Sequence, residues 1–337
     1  MTAAGPGTRP DPRPHESPGE TPGYVLGLDI GGTKLAAGVV DPAGRACSFL
    51  VRPTGNGREP DVVLADLFGL GRRAVAESGV AWSAIGAVGI GCGGPLDAQR
   101  GVLLAPPHLA GWRDVPVTGL AQQELGRPAY VENDATAAAS GEHRYGAGAG
   151  ARDMVYLTIS TGVGGGVVID GQLYRGARGN GGELGHVTID WNGRLCRSCG
   201  RNGCLEAYVS GTSIAERAAE TLPAGSLLAR RDRITAADVS AAALAGDEHA
   251  RRVWAETTDA LTCGLTSIIN LFEPELVVLG GGVTRAGEQL LAPVRDRVAR
   301  QAMAPASQAR IVTAGLGDQV GVIGAAAFVY ERLGHRA

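Results

Sequence analysis

Two apolar segments are joined through a short polar turn in Tyr24-Val-Leu-Gly-Leu-Asp-Ile-Gly-Gly-Thr-Lys-Leu-Ala-Ala-Gly-Val-Val40, and this pattern is the strongest indication of the fold. Tyr24–Asp29 and Leu35–Val40 are rich in valine, leucine and alanine, and they are bounded by turn residues as buried strands are. The turn Asp29–Lys34 contains two glycines, so its backbone can bend tightly and approach a ligand without a side-chain clash. The sequence therefore predicts two strands around a ligand-binding turn.

The same plan begins again at Met154, where strands Met154–Ile159 and Gly165–Ile169 surround the turn Ser160–Gly166. After each pair, apolar strands alternate with segments of helical spacing. In the first half, helices are predicted at 61–78 and from about 135, and strands at 84–90 and 128–132. In the second half, helices are predicted within 211–272 and a strand at 276–279. A plan that occurs twice predicts a duplicated two-domain α/β fold with a ligand cleft between the copies.

The domain bounds follow from this repetition. We assign 23–139 plus 318–334 to an N-terminal α/β domain and 140–317 to a C-terminal α/β domain. Residues 1–22 are rich in proline, glycine and charged residues and lack apolar periodicity, so we predict a disordered tail.

Composition excludes several classes of partner. The 337-residue chain has a formal net charge of −3, so it has no basic excess to attract nucleic acid or an anionic membrane. No segment reaches the roughly 18–20 uninterrupted apolar residues that span a bilayer. Three cysteines within 196–204 favour a metal site in a reducing compartment over disulfides. We predict a cytoplasmic protein with small-molecule ligands, and we expect a homodimer or homotetramer.

Three glycine-rich turns are candidates for a nucleotide site. In the first, Thr33 and the backbone amides can donate to phosphate oxygens, and Asp29 can hold Mg²⁺ through water. Ser160–Gly166 repeats this chemistry, and Gly280–Gly282 leaves room for a flat adenosine. Each turn alone is more typical of an ordinary hairpin, and no P-loop motif is present. Three turns in register predict ATP and Mg²⁺ bound by Asp29, Gly31, Gly32, Thr33, Lys34, Thr161, Gly162, Gly164, Gly281 and Gly282.

A second cluster has the composition of a metal site. His186, Cys196, Cys199 and Cys204 offer one imidazole and three thiolates within nineteen residues, which is a closed tetrahedral set for a structural Zn²⁺. The alternative is a group of buried free cysteines beside an unrelated histidine. Because the surrounding segment is rich in glycine, asparagine and arginine and has no core pattern, the sequence favours zinc.

The segment Glu132-Asn-Asp134 lies where a predicted strand meets a predicted helix. Asp134 is a candidate general base, which phosphoryl transfer to a hydroxyl requires, and Asn133 could orient the substrate. An Asn-Asp pair at this place is more often a helix N-cap. Glu183 and Glu206 flank the metal cluster and could accept hydrogen bonds from sugar hydroxyls, although each alone is more typical of a surface carboxylate.

Together these motifs resemble the ROK family (repressors, open reading frames, kinases), and the resemblance extends over about residues 24–330. The first turn is similar to the family's first phosphate motif, and Gly89-Ile-Gly-Cys-Gly-Gly-Pro-Leu-Asp97 resembles its G-I-G-x-P-G-P-V-D segment. Glu132–Ala135 resembles the segment that holds the catalytic aspartate, Glu183–His186 resembles E-x-G-H, and Cys196–Glu206 resembles C-x-C-G-x-x-G-C-x-E.

The resemblance implies an actin-like ATPase fold (ribonuclease H-like, hexokinase-type). It also implies an ATP-dependent sugar kinase that phosphorylates a hexose hydroxyl, in the first place the 6-hydroxyl of glucose, with Asp134 as the base. His186 would use one ring nitrogen for zinc and the other for a sugar hydroxyl. The implied sugar contacts are Gly94, Asn133, Asp134, Glu183, His186 and Glu206.

The chain departs from the family pattern at four places. Its cysteine spacing is C-x-x-C in place of C-x-C, Ser160 replaces a glycine, and Gly93 replaces a proline or alanine. His108 stands where glucokinases commonly carry asparagine. These changes keep other substrates open, namely mannose, a sugar-like cyclitol or an amino sugar of the N-acetylmannosamine, glucosamine or kanosamine type. A non-catalytic sugar-sensing regulator is a more distant alternative, because such regulators carry an N-terminal DNA-binding domain for which we see no room.

Overall fold

The computed structural model describes residues 23–55 and 57–335. This part of the chain contains twelve strands and nine α-helices. The predicted tail at 1–22 lies outside these residues. The strands are β1 (Tyr24–Ile30), β2 (Lys34–Val40), β3 (Leu50–Pro53), β4 (Ile85–Cys92), β5 (Leu96–Asp97), β6 (Val102–Leu103), β7 (Ala129–Asn133), β8 (Met154–Ile159), β9 (Val163–Ile169), β10 (Gln172–Tyr174), β11 (Leu276–Gly280) and β12 (Arg310–Thr313). The helices are α1 (Pro60–Ser78), α2 (Val117–Leu125), α3 (Asp134–Tyr145), α4 (Glu206–Val209), α5 (Gly211–Glu220), α6 (Ala236–Leu244), α7 (Glu248–Phe272), α8 (Glu288–Gln301) and α9 (Val320–Arg332).

The longer strands form two five-stranded sheets with one shared topology. The first has the order β3-β2-β1-β4-β7 and the second has the order β10-β9-β8-β11-β12. In both sheets three antiparallel strands come first along the chain, and two further strands extend the sheet in parallel. The prediction of a duplicated α/β fold is confirmed by this identity of order and direction.

Two helices, α3 and α9, lie between the sheets and pack against each other. Phe328 of α9 belongs to the core on the first sheet, and Ala139 of α3 belongs to the core on the second sheet. The helices can cross closely because they meet at glycines. A Cβ atom on Gly324 would lie only 2.5 Å from the carbonyl oxygen of Ala137, and one on Gly141 would lie 3.0 Å from the Cα of Gly324.

The remaining helices cover the outer faces of the sheets. Helices α1 and α2 pack on the first sheet, and helices α4 to α8 pack on the second, with cores built mainly from alanine, valine, leucine and isoleucine. Among the described residues, no helix is long and apolar enough to cross a membrane.

The chain passes between the two sheets after α3 and again before α9, and Glu142 joins the two passages. Its carboxylate is fully buried and accepts hydrogen bonds from the amides of Ala147 (2.8 Å), Gly315 (2.9 Å) and Leu316 (2.8 Å). Any rotation of one sheet relative to the other must therefore bend the chain near this carboxylate. The boundary that we predicted between 139 and 140 falls inside α3, which continues to Tyr145.

Replacing Glu142 with alanine should destabilise the whole protein, because three partly buried amide donors lose the carboxylate that accepts from them and a cavity is created. Each unsatisfied buried donor costs about 1–3 kcal/mol, so we expect Glu142→Ala to lower the free energy of unfolding by about 3–5 kcal/mol. Denaturant unfolding provides the measurement. The control is Glu77→Ala, which removes an exposed ion pair with Arg73 and should have little effect. Equal stability of the two variants would show that Glu142 does not join the passages.

Candidate active site

A cleft of about 1460 Å³ opens between the two halves, at the carboxyl ends of β1, β4, β7, β8 and β11. Carboxyl ends of parallel strands are the usual place for ligands in open α/β sheets. Every residue that we predicted for nucleotide or substrate binding lines this cleft: Asp29, Gly31, Gly32, Thr33, Lys34, Gly94, Asn133, Asp134, Thr161, Gly162, Gly164, Glu183, His186, Glu206, Gly281 and Gly282.

The first glycine turn, between β1 and β2, is held in shape by its own backbone and by the end of β3. The amide of Gly31 donates to the carbonyl of Lys34 (3.0 Å). Thr54 donates its hydroxyl to the carbonyl of Gly31 (2.6 Å) and its amide to the carbonyl of Thr33 (3.0 Å). The side chains of Thr33 and Lys34 remain exposed in the cleft. The turn is thus held in one shape by the protein alone, and Thr54 is a supporting residue that the sequence did not reveal.

The sequence left open whether the pair Asn133 and Asp134 caps a helix or provides a carboxylate for chemistry, and the structure assigns capping to Asn133. The side-chain oxygen of Asn133 accepts hydrogen bonds from the amides of Ala135 (3.0 Å) and Thr136 (3.1 Å), so Asn133 is the N-cap of α3. Asp134 is the first residue of the helix, and one of its oxygens accepts from the amide of Ala135 (2.8 Å). Because Asn133 caps the helix, the carboxylate of Asp134 is available in the cleft for chemistry.

Asp29 and Asp134 form a pair of interacting carboxylates. Burial, and then the nearby negative charge of Asp134, raise the pKa of Asp29 to about 7, against the opposing effect of Lys34. Burial also raises the pKa of Asp134, while the charge of His108 and backbone amides lower it. Two carboxylates whose charged forms are disfavoured in one cleft are typical of a site that binds a cation or handles a proton.

The second and third glycine turns lie side by side across the cleft. In the second, the amide of Ser160 donates to the carbonyl of Gly162 (2.9 Å), and the carbonyl of Ser160 accepts from Gly211 at the start of α5 (2.7 Å). Gly281 has a φ of 89°, and a Cβ atom there would collide with the carbonyl of Ile159 at the end of β8. Only glycine at 281 therefore allows the third turn to approach the second.

The four predicted metal ligands come together. One donor atom from each of His186, Cys196, Cys199 and Cys204 lies within 4.8 Å of the other three. The Sγ atoms of Cys199 and Cys204 are 3.5 Å apart, and the Sγ of Cys196 is 3.7 Å from Nδ1 of His186. A tetrahedral zinc ion with bonds of about 2.0–2.3 Å places its ligands at roughly these separations. The extra residue between Cys196 and Cys199 is accommodated in the loop, and the donor set fits the ion.

Glu206 connects this loop to the second glycine turn. One carboxylate oxygen accepts a hydrogen bond from the hydroxyl of Ser198, and the other accepts from the amide of Val163 (2.8 Å). Ser198 lies in the expanded segment between two of the cysteines, so the unusual spacing supplies a contact that the sequence did not predict. Burial raises the pKa of Glu183, and His186 opposes this effect. These side chains form the wall of the cleft that faces Asp134.

Residues of the segment 175–182 link the two halves beside the site. Arg175 donates to the carboxylate of Glu132 on β7 (2.7 Å) and approaches Glu331 on α9 (3.3 Å). The amide nitrogen of Asn180 lies 3.4 Å from the carbonyl of Leu96. Sequence reasoning missed Arg175 and Asn180 because this segment has neither apolar periodicity nor a chemical motif.

Two duplicated sheets around this cleft define the actin-like ATPase fold of hexokinase type, as predicted. The model of the ROK family matches residues 25–332. The chain belongs to the ROK family.

Its relatives include kinases and regulators. A glucokinase from Thermotoga maritima is 35% identical over 322 residues, which cover 92% of this chain and 98% of the relative. A ROK family glucokinase from Streptomyces griseus, solved in complex with glucose and AMPPNP, is 37% identical with a TM-score of 0.77, and the match covers 91% of this chain and 99% of that one. A xylose repressor from Caldicellulosiruptor bescii is 31% identical over 279 residues, which cover 81% of this chain and 69% of the repressor.

The raised pKa of Asp29 predicts a pH-dependent effect of Asp29→Asn on stability. The carboxyl binds its proton more tightly in the folded state, so its contribution to stability is present below the unfolded pKa of 3.8 and is lost as the pH rises through about 7. Without ligands at pH 8, Asp29→Asn should raise the free energy of unfolding by about 2–4 kcal/mol. At pH 4 the two proteins should differ little. Urea unfolding at both values is the measurement, and an equal difference at both would contradict the shift.

Proposed function

We propose that this protein transfers the terminal phosphoryl group of ATP to the 6-hydroxyl of glucose, with Asp134 as the general base. The observation that carries the proposal is the meeting of Asp134, three glycine turns and the wall of Glu183, His186 and Glu206 in one cleft. A kinase needs this combination of a base, phosphate donors and hydroxyl acceptors within reach of one another. The glucokinases among its relatives support the same reaction.

In the proposed reaction, Asp134 accepts the proton of the sugar hydroxyl as its oxygen forms a bond to the terminal phosphorus. The bond between that phosphorus and the bridging oxygen of ADP breaks, and the carboxylate of Asp134 ends protonated. The raised pKa of Asp134 makes it a stronger base than an exposed aspartate, although burial is also the reason that it ionises less readily. A Mg²⁺ ion bound with ATP near Asp29 would supply positive charge for the phosphates.

The substrate wall is proposed to be braced by one zinc ion bound to His186, Cys196, Cys199 and Cys204. Because Nδ1 of His186 faces the sulfur of Cys196, its Nε2 remains for a sugar hydroxyl. Zinc would thereby fix the orientation of a ring that contacts substrate. The ion would be structural, since four protein ligands leave no position for water.

The choice of sugar rests on the relatives, because hydroxyl-binding carboxylates suit many sugars. Glucose leads, and mannose, an amino sugar or a sugar-like cyclitol are the alternatives within the same reaction. A coupled assay of ATP consumption over a panel of these compounds tests the choice directly. The compound with the highest kcat/KM is the substrate, and absence of turnover with every member would contradict the kinase proposal.

A sugar-sensing regulator is the second candidate function, and it is supported by the similarity to a xylose repressor. A regulator needs to bind sugar but does not need a base in the cleft. Asp134 is present and free of the capping role, which supports catalysis. Sugar binding by calorimetry without any sugar-dependent ATP turnover would support the regulator.

Asp134→Asn should lower kcat by about 10²–10⁴-fold with a much smaller effect on KM, because the amide keeps the shape of the carboxyl but cannot accept the proton. Steady-state kinetics on the best sugar of the panel provide the measurement. Asp232→Asn, an exposed position outside the cleft, is the control and should retain wild-type rates. Wild-type turnover by folded Asp134→Asn would remove this residue from the mechanism.

Purified protein that has not met a chelator should contain about one zinc ion per chain, as measured by elemental mass spectrometry. Cys204→Ser removes a buried ligand, so we expect loss of the metal and a lower melting temperature. Cys263→Ser changes an exposed cysteine on α7 and should keep both properties. Protein that is folded and active with no bound metal would exclude the zinc site.

A further inference from the structure

His108 lines the cleft but has no role in the proposed reaction as described above. Its ring lies against Gly93, at the end of β4. A Cβ atom on Gly93 would lie 3.1 Å from Nδ1 and 3.2 Å from Nε2 of the ring, and it would collide with Cε1. On the other side, a Cβ atom on Gly32 of the first turn would lie 3.2 Å from the Cβ of His108. The imidazole therefore occupies its place because position 93 is glycine, and Gly32 packs closely on the backbone and Cβ of the same residue.

This contact links Gly93 and His108, which are distant in the sequence. They are fifteen positions apart, and both depart from the family pattern. In the structure the ring of His108 fills the volume that a side chain at 93 would occupy. A change at one position therefore has consequences at the other, and the two residues form a pair.

The ring lies at the reacting end of the cleft. It is beside the first phosphate turn through Gly32 and close enough to Asp134 for their charges to interact. Burial lowers the pKa of His108, while the charge of Asp134 and a hydrogen bond to the backbone of Ile30 oppose this effect. A neutral imidazole has one donor and one acceptor nitrogen, so the nitrogen that does not face Ile30 remains for a sugar hydroxyl.

The ring also separates the cleft from a smaller cavity of about 200 Å³ behind the first turn. His108 and Gly32 line both spaces, and Arg58 and Trp112 line the smaller one. Because His108 borders this cavity as well as the cleft, a larger residue at 93 would have space nearby into which to displace the ring.

We propose that His108 determines specificity by contacting the 4-hydroxyl of the sugar, and that Gly93 makes room for this contact. The proposal rests on the proposed kinase function. The hydroxyl that is phosphorylated must reach both Asp134 and the terminal phosphate held by the first turn. A ring beside both lies near the substituents that neighbour carbon 5, and of these the 4-hydroxyl can both donate and accept.

The experiment compares wild type, His108→Ala, Gly93→Ala and the double variant on glucose, 4-deoxyglucose and 2-deoxyglucose. Loss of one neutral hydrogen bond should lower kcat/KM for glucose and 2-deoxyglucose about 3–10-fold in His108→Ala. The loss on 4-deoxyglucose should be clearly smaller, because the partner hydroxyl is missing. Gly93→Ala displaces the ring, so it should show the same pattern. The double variant should lose little beyond either single variant, since both remove one contact.

A smaller donor side chain provides the rescue. Asparagine at 108 can donate a hydrogen bond without reaching position 93 as the ring does, so Gly93→Ala with His108→Asn should exceed Gly93→Ala alone on glucose. Equal losses of His108→Ala on all three sugars, or additive effects of the two alanine substitutions, would overturn the proposal. Calorimetric titration of the same sugars, with a non-hydrolysable ATP analogue present, gives a second readout. Selective effects on affinity without turnover would support the His108 contact and contradict the kinase function.

Discussion

The crossing of α3 and α9 is the constraint on which the site depends. Asp134 is the first residue of α3, and Gly321 at the start of α9 lies against the carboxylate of Asp29, so a Cβ atom there would be 2.7 Å from Cγ of Asp29. The separation of the two carboxylates therefore follows from how closely the helices approach at Gly324 and Gly141. A larger residue at the crossing would therefore move Asp134 relative to the first glycine turn.

For the carboxylates of Asp29 and Asp134, burial has a larger electrostatic effect than a nearby helix N-terminus has. The N-terminus of a helix favours a nearby carboxylate by about 0.3–1 kcal/mol. A pKa raised from 3.8 to about 7, as for Asp29, corresponds to roughly 4 kcal/mol in the opposite direction. Without ligands the cleft thus disfavours two negative charges, and a divalent cation would remove that cost. Such a site gains affinity for a metal–nucleotide complex from the same burial that makes the empty site less stable.

Sequence alone predicted the fold because the hairpin and turn occur twice, and the turns pointed to their residues because glycine clusters are visible in any sequence. The strand bounds differed by a residue or two, as where Pro128–Glu132 is Ala129–Asn133 in the structure. What the sequence could not give are contacts between distant residues. Glu142 is an ordinary helical glutamate until its three amide partners come together, and the pairing of Gly93 with His108 exists only in three dimensions.

The two walls of the cleft are built by different means, and this explains why the candidate zinc site lies in only one of them. The wall of Asp29 and Asp134 stands on strands and helices whose apolar periodicity secures their positions. The wall of Glu183 and His186 stands on short turns and a loop with little apolar core of its own, in which Cys196 and Cys204 are among the few buried residues. A bound ion would supply there the rigidity that hydrophobic packing supplies opposite. Because Glu206 takes hydrogen bonds from both the loop and the second phosphate turn, that rigidity would extend to the nucleotide as well as to the sugar.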